Sequence, residues 1–215
     1  MNHAATLLFD LDGTLTDNYT GISRSIVHAL TALRVAVPGE DALRSCVGPP
    51  LRKSFARLLQ TEDAAQVEHA LALYRARYAE HGWRENDVYA GVENALSALA
   101  ARGQRMILCT SKPRVYAQRI VDHFGIAGWI GTVYGPELDG RFDNKNDLLG
   151  GIIAAERLDA NACLMIGDRG QDMIAARANG VDGIGVLWGY GSSAELIGAG
   201  ARRLVARPAE LPDAL

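Results

Sequence analysis

The amino-acid sequence predicts an α/β fold: a doubly wound parallel sheet with helices on both faces, interrupted by an inserted α-helical domain. Short apolar runs, rich in residues that favour strands, alternate with helical patterns over most of the chain, and this alternation is typical of a parallel sheet covered on both faces. The alternation stops in one long segment, where every recognisable pattern is helical. Together these two observations predict a Rossmann-like sheet domain with a helical insertion.

Six short apolar runs predict the strands of the sheet. In chain order they are ATLLFD from Ala5, RMILCTS from Arg105, WIGTVYG from Trp129, CLMIGD from Cys163, GIGVLWG from Gly183 and RLVAR from Arg203, the last as an edge strand. Right-handed crossovers place the carboxyl ends of such strands along one edge, which is where ligands bind in open α/β sheets.

Helical stripes fill the intervals between these strands. They are VENALSALAARG from Val92, RVYAQRIVDHFG from Arg114, NDLLGGIIAAERL from Asn146 and DMIAARANG from Asp172. The segment after the first strand instead contains helical patterns at about 19–33, 40–47, 51–59 and 64–80, separated by breaks at VPGE and GPP. We therefore expect residues 18–85 to form the inserted helical domain, and residues 1–17 with 86–215 to form the sheet domain.

The composition limits the classes of partner. The chain has 215 residues, 48% of them apolar, and a formal net charge of −3, so nothing indicates a basic surface for a nucleic-acid polymer or a membrane. The first ten residues lack the basic start of a signal peptide, and no apolar run reaches the length of a membrane span. Three widely separated cysteines indicate reduced thiols. We therefore expect a cytoplasmic protein, and its oligomeric state stays open.

Acidic side chains stand at the ends of two predicted strands. Asp10 ends the first strand and Asp12 follows two residues later, while the segment MIGDRGQD supplies Asp168 and Asp172. Buried like charges that converge at one sheet edge require neutralisation, and Mg²⁺ is the usual cation where few carboxylates and a phosphate complete the shell. The acids therefore predict a divalent-metal site, although Asp172 fits a helix N-cap equally well.

Four segments in this order, DLDGTLTD, LCTSK, Lys145 and GDRGQD, resemble the signature motifs of the haloacid dehalogenase-like phosphohydrolases. The resemblance covers essentially the whole chain, and the helical insertion is similar to the small α-helical cap of that family. The segments YRARYAEHGWRENDVYAGV and GVLWGYGS resemble its phosphoglycolate phosphatase and 5′-nucleotidase branch. The resemblance implies a Mg²⁺-dependent phosphatase that acts on a small phosphomonoester.

The resemblance also implies a role for each motif residue. Asp10 would be the nucleophile that forms an aspartyl-phosphate, and Asp12 the acid for the leaving oxygen and then the base for water. Thr110 would bind a phosphoryl oxygen, and Lys145 would pair with Asp10 and the phosphoryl group. Asp168 would bind Mg²⁺ together with the Asp10 carboxylate and the Asp12 backbone carbonyl.

The motifs depart from the family pattern at two positions. Ser111 follows Thr110 where many relatives have Asn, and it keeps one hydrogen-bond donor for the substrate. Asn146 follows Lys145 where Pro is frequent. Only three of the 22 basic residues are Lys, which fits the use of Lys145 as a compact charge. Lys112 is a nearby rival for that role, but the order of the motifs favours Lys145.

Substrate choice is expected to depend on the cap. The loop VGPPLRKSF carries Arg52 and Lys53, which we expect to contact the leaving group, although a basic first turn on a solvated helix is as good an interpretation. Arg169 is either a partner of the acids or a surface residue. The segment WGYGS is best interpreted as a Gly-rich turn after a strand, and the alternative is a rim of the site. A phosphosugar mutase and, less favoured, a non-catalytic regulator are the alternative functions.

Overall fold

The computed structural model describes residues 6–215. Its strands, in chain order, are β1 Thr6–Phe9, β2 Thr16–Asp17, β3 Asp87–Val88, β4 Arg105–Cys109, β5 Thr132–Tyr134, β6 Cys163–Gly167, β7 Asp182–Val186 and β8 Arg203–Val205. Its α-helices are α1 Tyr19–Ala32, α2 Glu40–Arg44, α3 Leu51–Leu59, α4 Ala64–Glu80, α5 Val92–Ala101, α6 Arg114–His123, α7 Lys145–Glu156, α8 Gly170–Ala178 and α9 Ser193–Ala199. Short 3₁₀ turns occupy Gly82–Arg84, Ile126–Gly128, Ala160–Ala162 and Pro208–Asp213.

Six strands form one parallel sheet in the order β5-β4-β1-β6-β7-β8. The predicted α/β fold class is therefore confirmed. Every residue of β1 is buried because this strand lies between β4 and β6 and is covered on both faces. Leu8, Ile107 and Met165 come from these three neighbouring strands and belong to one core cluster.

The chain divides into two compact units. The sheet unit contains the described residues up to Asp17 together with Val88–Leu215, and the helical unit contains Asn18–Asp87. The second boundary lies two residues after the predicted one. In the helical unit, the buried side chains Ile26, Leu30, Phe55 and Leu71 form an apolar interior.

A few elements differ from those expected from the sequence. The helix α2 ends at Arg44, three residues before the predicted end, and there the hydroxyl of Ser45 donates to the carbonyl oxygen of Ala42 over 2.7 Å. The helix α9 was not predicted, because its seven residues are too few for a clear apolar stripe. The sequence does indicate where α9 begins, because Ser192 is a favourable N-cap residue. Its hydroxyl oxygen accepts the N–H of Glu195 in the first turn. The predicted first residue of β1, Ala5, lies outside the described residues.

The described chain also settles the state of the thiols. All three cysteines are free and buried. Within residues 6–215, none of the helices combines the length and the apolar character that a transmembrane span requires.

Candidate active site

The register of three parallel strands determines where the site forms. Phe9, the last residue of β1, lies opposite Ile166 of β6, and β1 pairs with β4 on its other side. Asp10 follows Phe9 and donates its N–H to the carbonyl oxygen of Ile166 over 2.9 Å. Because the strands are parallel, Thr110 after β4 and Asp168 after β6 emerge at the same edge as Asp10.

A tight turn follows the first acid of the site. The N–H of Thr16 donates to the carbonyl oxygen of Leu11 over 3.0 Å, and the N–H of Gly13 donates to the carbonyl oxygen of Thr16 over 2.8 Å. Gly13 has a φ of +88°, and any side chain there would clash with the carboxylate of Asp168. The hydroxyl of Thr14 donates to Oδ1 of Asp168 over 3.3 Å. The turn therefore packs directly against the acid that follows β6.

Lys145, the first residue of α7, carries a buried ammonium group between two carboxylates. Its Nζ atom lies 3.0 Å from Oδ1 of Asp10 and 2.5 Å from Oδ1 of Asp172. Burial lowers the pKa of Lys145, but the charges of Asp10 and Asp172 outweigh burial and hold the pKa above its ordinary value. The ammonium therefore stays charged beside Asp10 at neutral pH.

A side-chain cap fixes the start of α7. The Oδ1 atom of Asn144 accepts the N–H of Asn146 over 3.0 Å. The Pro that is frequent at position 146 in the resembled family would need no such partner, because it has no N–H. Asn144 supplies the partner here, so Lys145 keeps its place at the first turn of the helix without the Pro.

Lys112 forms a second buried ion pair, with the other acid of the first motif. Its Nζ atom lies 2.7 Å from Oδ2 of Asp12, and the two side chains are 4% and 10% exposed. From the sequence, Lys112 and Lys145 are rivals for one position. The structure instead places both in the site, each with its own partner from the first motif.

The residues after β4 form the neighbouring wall of the site. Thr110 is buried and its hydroxyl oxygen accepts the N–H of Lys112 over 3.2 Å. The side chain of Ser111 is half-buried, and its hydroxyl oxygen lies 3.4 Å from Nε2 of Gln171, which donates to it. Ser111 thus links this loop to the first turn of α8, where Gln171 lies.

Three buried carboxylates converge in a way that suits a divalent cation. Asp10, Asp168 and Asp172 each offer an oxygen atom, and these atoms lie within 4.8 Å of one another. Burial, followed by the charges of Asp172 and Asp10, raises the pKa of Asp168 well above its ordinary value. Oxygen ligands and a local excess of negative charge are what Mg²⁺ requires, so the donor set fits such a cation.

The three acids are not equivalent, because both oxygens of Asp172 already have protein partners. Oδ1 of Asp172 pairs with Lys145, and Oδ2 accepts the N–H of Arg169 over 3.0 Å, which caps the start of α8. Burial raises the pKa of Asp172, and the adjacent Lys145 opposes this effect. The arrangement favours Asp10 and Asp168 as ligands and a supporting role for Asp172.

The segment WGYGS folds against Asp168, which agrees with the rim interpretation and not with the preferred interpretation of a simple turn. The backbone N–H of Tyr190 donates to Oδ2 of Asp168 over 2.8 Å, and the indole N–H of Trp188 donates to the carbonyl oxygen of Thr14 over 2.9 Å. A side chain at Gly189 or Gly191 would clash with Asp168. The loop after β7 is therefore part of the site.

Two residues nominated for substrate contacts lie in the helical unit. Arg52 and Lys53 belong to the first turn of α3; Nε of Arg52 lies 2.6 Å from Oε1 of Glu68, and Lys53 is exposed. Arg169, left open between two roles, places Nε 3.0 Å from Oε1 of Glu195 in α9. Its guanidinium therefore pairs with Glu195, an acid outside the motifs.

Sequence reasoning missed three contributors to the site: the pairing of Lys112 with Asp12, the backbone N–H of Tyr190 and the amide of Gln171. The rarity of lysine was a usable signal for Lys112. The identity of a residue does not indicate whether its backbone N–H is a donor in the site, so the role of Tyr190 could not be predicted. Gln171 lies inside the GDRGQD motif, but nothing in the pattern distinguishes it from a surface residue.

Comparison with known proteins identifies one family model, and the similar proteins carry two kinds of name, phosphatase or nucleotidase and kinase. The family model described as haloacid dehalogenase-like hydrolase matches residues 7–186. A 5′-nucleotidase of Pseudomonas aeruginosa is 43% identical over 192 residues, which are 88% of this chain and 86% of that protein. The tyrosine-protein kinase PtkA of Mycobacterium tuberculosis is 38% identical over 185 residues, 86% of this chain and 62% of that protein. The crystal structure of a predicted phosphatase from Clostridium acetobutylicum shares 36% identity and a TM-score of 0.94, over 99% of this chain and 98% of that one.

Proposed function

This chain belongs to the haloacid dehalogenase-like hydrolases, and on that premise we propose that it hydrolyses a small phosphomonoester in a Mg²⁺-dependent reaction through an aspartyl-phosphate on Asp10. That it is a phosphate-monoester hydrolase follows from the family and its phosphatase relatives. One observation carries the finer proposal: Asp10 directly follows the buried strand β1, and the Lys145 ammonium lies 3.0 Å from its carboxylate.

The first step is attack of an Asp10 carboxylate oxygen on phosphorus. The bond between phosphorus and the ester oxygen breaks, and Asp12, which is protonated when the ester binds, gives its proton to that oxygen, so that the leaving group departs as the alcohol. Lys145 offsets the repulsion between the anionic ester and Asp10, and the Thr110 hydroxyl holds a phosphoryl oxygen. The Asp10 and Asp168 carboxylates and the Asp12 carbonyl would hold Mg²⁺, which supplies further charge neutralisation when bound.

The second step returns the enzyme to its starting state. Asp12, now a carboxylate, takes a proton from a water molecule that attacks the phosphorus of the aspartyl-phosphate. The bond between phosphorus and the Asp10 oxygen breaks, which releases inorganic phosphate and regenerates the Asp10 carboxylate. The same side chain thus serves as acid in the first step and as base in the second.

The substrate we propose is a nucleoside 5′-monophosphate or a phosphoglycolate-type ester. The relative named 5′-nucleotidase supports the first class, and the resemblance of GVLWGYGS and the cap segment to that branch supports both. We assign the leaving-group contacts to Arg52 and Lys53 of the helical unit, and phosphoryl-group contacts to Thr110 and Ser111. A cytoplasmic location, suggested by three free thiols, also stays a prediction.

Phosphate release from a panel of esters tests the proposal. The panel contains nucleoside 5′-monophosphates, phosphoglycolate and hexose phosphates, each with Mg²⁺ and with a chelator, and Asp10→Asn as the matched variant. We expect Mg²⁺-dependent release from one class and none from Asp10→Asn. Isomerised sugar phosphate without free phosphate would favour the mutase, and a folded protein inert on all esters would favour the regulator.

A further inference from the structure

Two of the three lysines in this arginine-rich chain are buried in the site, and each pairs with a different acid of the first motif. Lys145 lies 3.0 Å from Asp10, and Lys112 lies 2.7 Å from Asp12. The proposed mechanism uses the first pair directly. The second pair has no role in it, although it holds the carboxylate that the mechanism assigns to proton transfer.

The backbone around Lys112 is held in place by its neighbours. The N–H of Lys112 donates to the Thr110 hydroxyl oxygen over 3.2 Å. Before Lys112, the N–H of Thr110 donates to the carbonyl oxygen of Tyr134 over 3.1 Å. After it, the N–H of Arg114 donates to the carbonyl oxygen of Pro136 over 3.0 Å. Lys112 therefore projects from a segment anchored at both ends, and its side chain is only 4% exposed.

A stabilising role alone is a weak explanation for this pair. Two charges taken out of water lose hydration, and a buried pair replaced by apolar groups of similar volume is often neutral or more stable. In the proposed mechanism the Asp12 carboxylate must face the leaving group. The buried pair is therefore better explained by the geometry that Lys112 imposes on Asp12.

We propose that Lys112 is a positioning residue that holds the Asp12 carboxylate beside the leaving-group oxygen, so that the reaction depends on Lys112 more strongly as the leaving group becomes poorer. The inference rests on the proposed function, because it assumes that Asp12 protonates the departing alcohol. A good leaving group departs without that proton, whereas an alkoxide does not. The dependence of the rate on the leaving group therefore reports whether Asp12 is positioned to donate its proton.

The test compares two esters in one preparation of each variant. p-Nitrophenyl phosphate has a good leaving group, and the alkyl phosphate that the wild-type protein hydrolyses best has a poor one. The readout is the ratio of their kcat/KM values, which reports steps up to departure of the leaving group and is unaffected by a misfolded fraction. In Lys112→Met we expect the alkyl ester to lose roughly 10²-fold more than the aryl ester, with partial recovery in Lys112→Arg.

Two matched variants make the result specific. Arg202→Met removes an exposed cation paired with Asp182 and should leave the ratio unchanged. In an Asp12→Ala background, Lys112→Met should shift the ratio no further, because its partner is gone. Lys112→Gln, which keeps a hydrogen-bond donor without the charge, replaces Lys112→Met if the latter does not fold.

The outcomes separate the inference from the proposed function. Equal losses on both esters, or a further shift in the Asp12→Ala background, would overturn the positioning role while the phosphatase stands. A wild-type protein inert on every ester would overturn the proposed function and this inference with it.

Discussion

The Nζ atom of Lys145 lies 3.0 Å from the Oδ1 atom of Asp10, and their side chains are 4% and 2% exposed. This pairing places a positive charge against the carboxylate that directly follows β1. An anionic phosphate ester approaching Asp10 would meet the ammonium as well as the carboxylate. The pairing is the basis of the first two predictions.

Asp10→Asn should abolish turnover and leave the fold intact. The change replaces one oxygen by an NH₂ group of the same size, so packing around β1 is preserved, but the amide is a far weaker nucleophile than the carboxylate. Phosphate release and thermal unfolding, measured on the same sample, check both halves of the prediction. Retained turnover would remove Asp10 from the role of nucleophile.

Lys145→Ala should cost about 3 kcal/mol of transition-state stabilisation, the usual loss when an electrostatic donor is removed from such a site. The same change leaves Asp172 and Asp10 buried without that ammonium, so we also expect a lower melting temperature. Steady-state kinetics on the best ester measures the first effect, with Arg202→Ala as the control for loss of an exposed cation. A kcat/KM within a few-fold of wild type would contradict the assignment.

Mg²⁺ should stabilise the folded protein through the carboxylate cluster. Burial, followed by the charges of Asp172 and Asp10, raises the pKa of Asp168, so a bound cation would favour its ionised form. At about 100 times the dissociation constant, a cation bound only to the folded state adds about 2.7 kcal/mol. Thermal unfolding with and without Mg²⁺ measures the shift, and Asp168→Asn should lose most of it. An equal shift in that variant would place the cation elsewhere.

Much of this site was predictable because its acids follow apolar runs, and the ends of parallel strands meet at one edge. Asp10 and Asp168 could be placed together on that argument alone. The partner of Lys112 could not be predicted, because a lysine in a loop has many rotamers and the sequence does not indicate which rotamer the folded protein adopts. Tyr190 contributes only its backbone N–H, which every residue except Pro has. The helix α9 escaped notice because it is short and its cap is its only clear signal.

Arg52→Ala should change the ranking of substrates. The ratios of kcat/KM between substrates should change several-fold more than the rate on the best substrate. The proposed contact is with the leaving group, which differs between esters, and not with the phosphoryl group, which all share. Glu68→Gln is the matched variant, since it breaks the 2.6 Å ion pair but keeps Arg52. The kcat/KM values for the whole panel are compared among the three proteins. An unchanged ranking in Arg52→Ala would exclude the contact.

Glu85→Gln should destabilise the helical unit at neutral pH and have little effect in acid. Hydrogen bonds from Arg77 lower the pKa of Glu85 against the effect of burial, with help from Arg24. A carboxylate whose pKa is lower in the folded state stabilises that state above its unfolded pKa, and the contribution is lost as the pH falls through the folded value.

We therefore expect a difference of about 1 kcal/mol in the free energy of unfolding at pH ~7, shrinking toward zero below pH ~4. Urea unfolding of both proteins across this range measures it. A difference that persists unchanged in acid would show that the Glu85 charge is not its source.

The Gly-rich loop after β7 predicts which related proteins of unknown structure can share the arrangement around Asp168. Any side chain at Gly189 or Gly191 would collide with Asp168 or with the backbone beside it. A related protein with a larger residue at either position must arrange the acid after β6 differently, even if all its motif acids are retained. Gly189 and Gly191, which follow the last motif by about twenty residues, therefore distinguish related proteins that can form this arrangement of carboxylates from those that cannot.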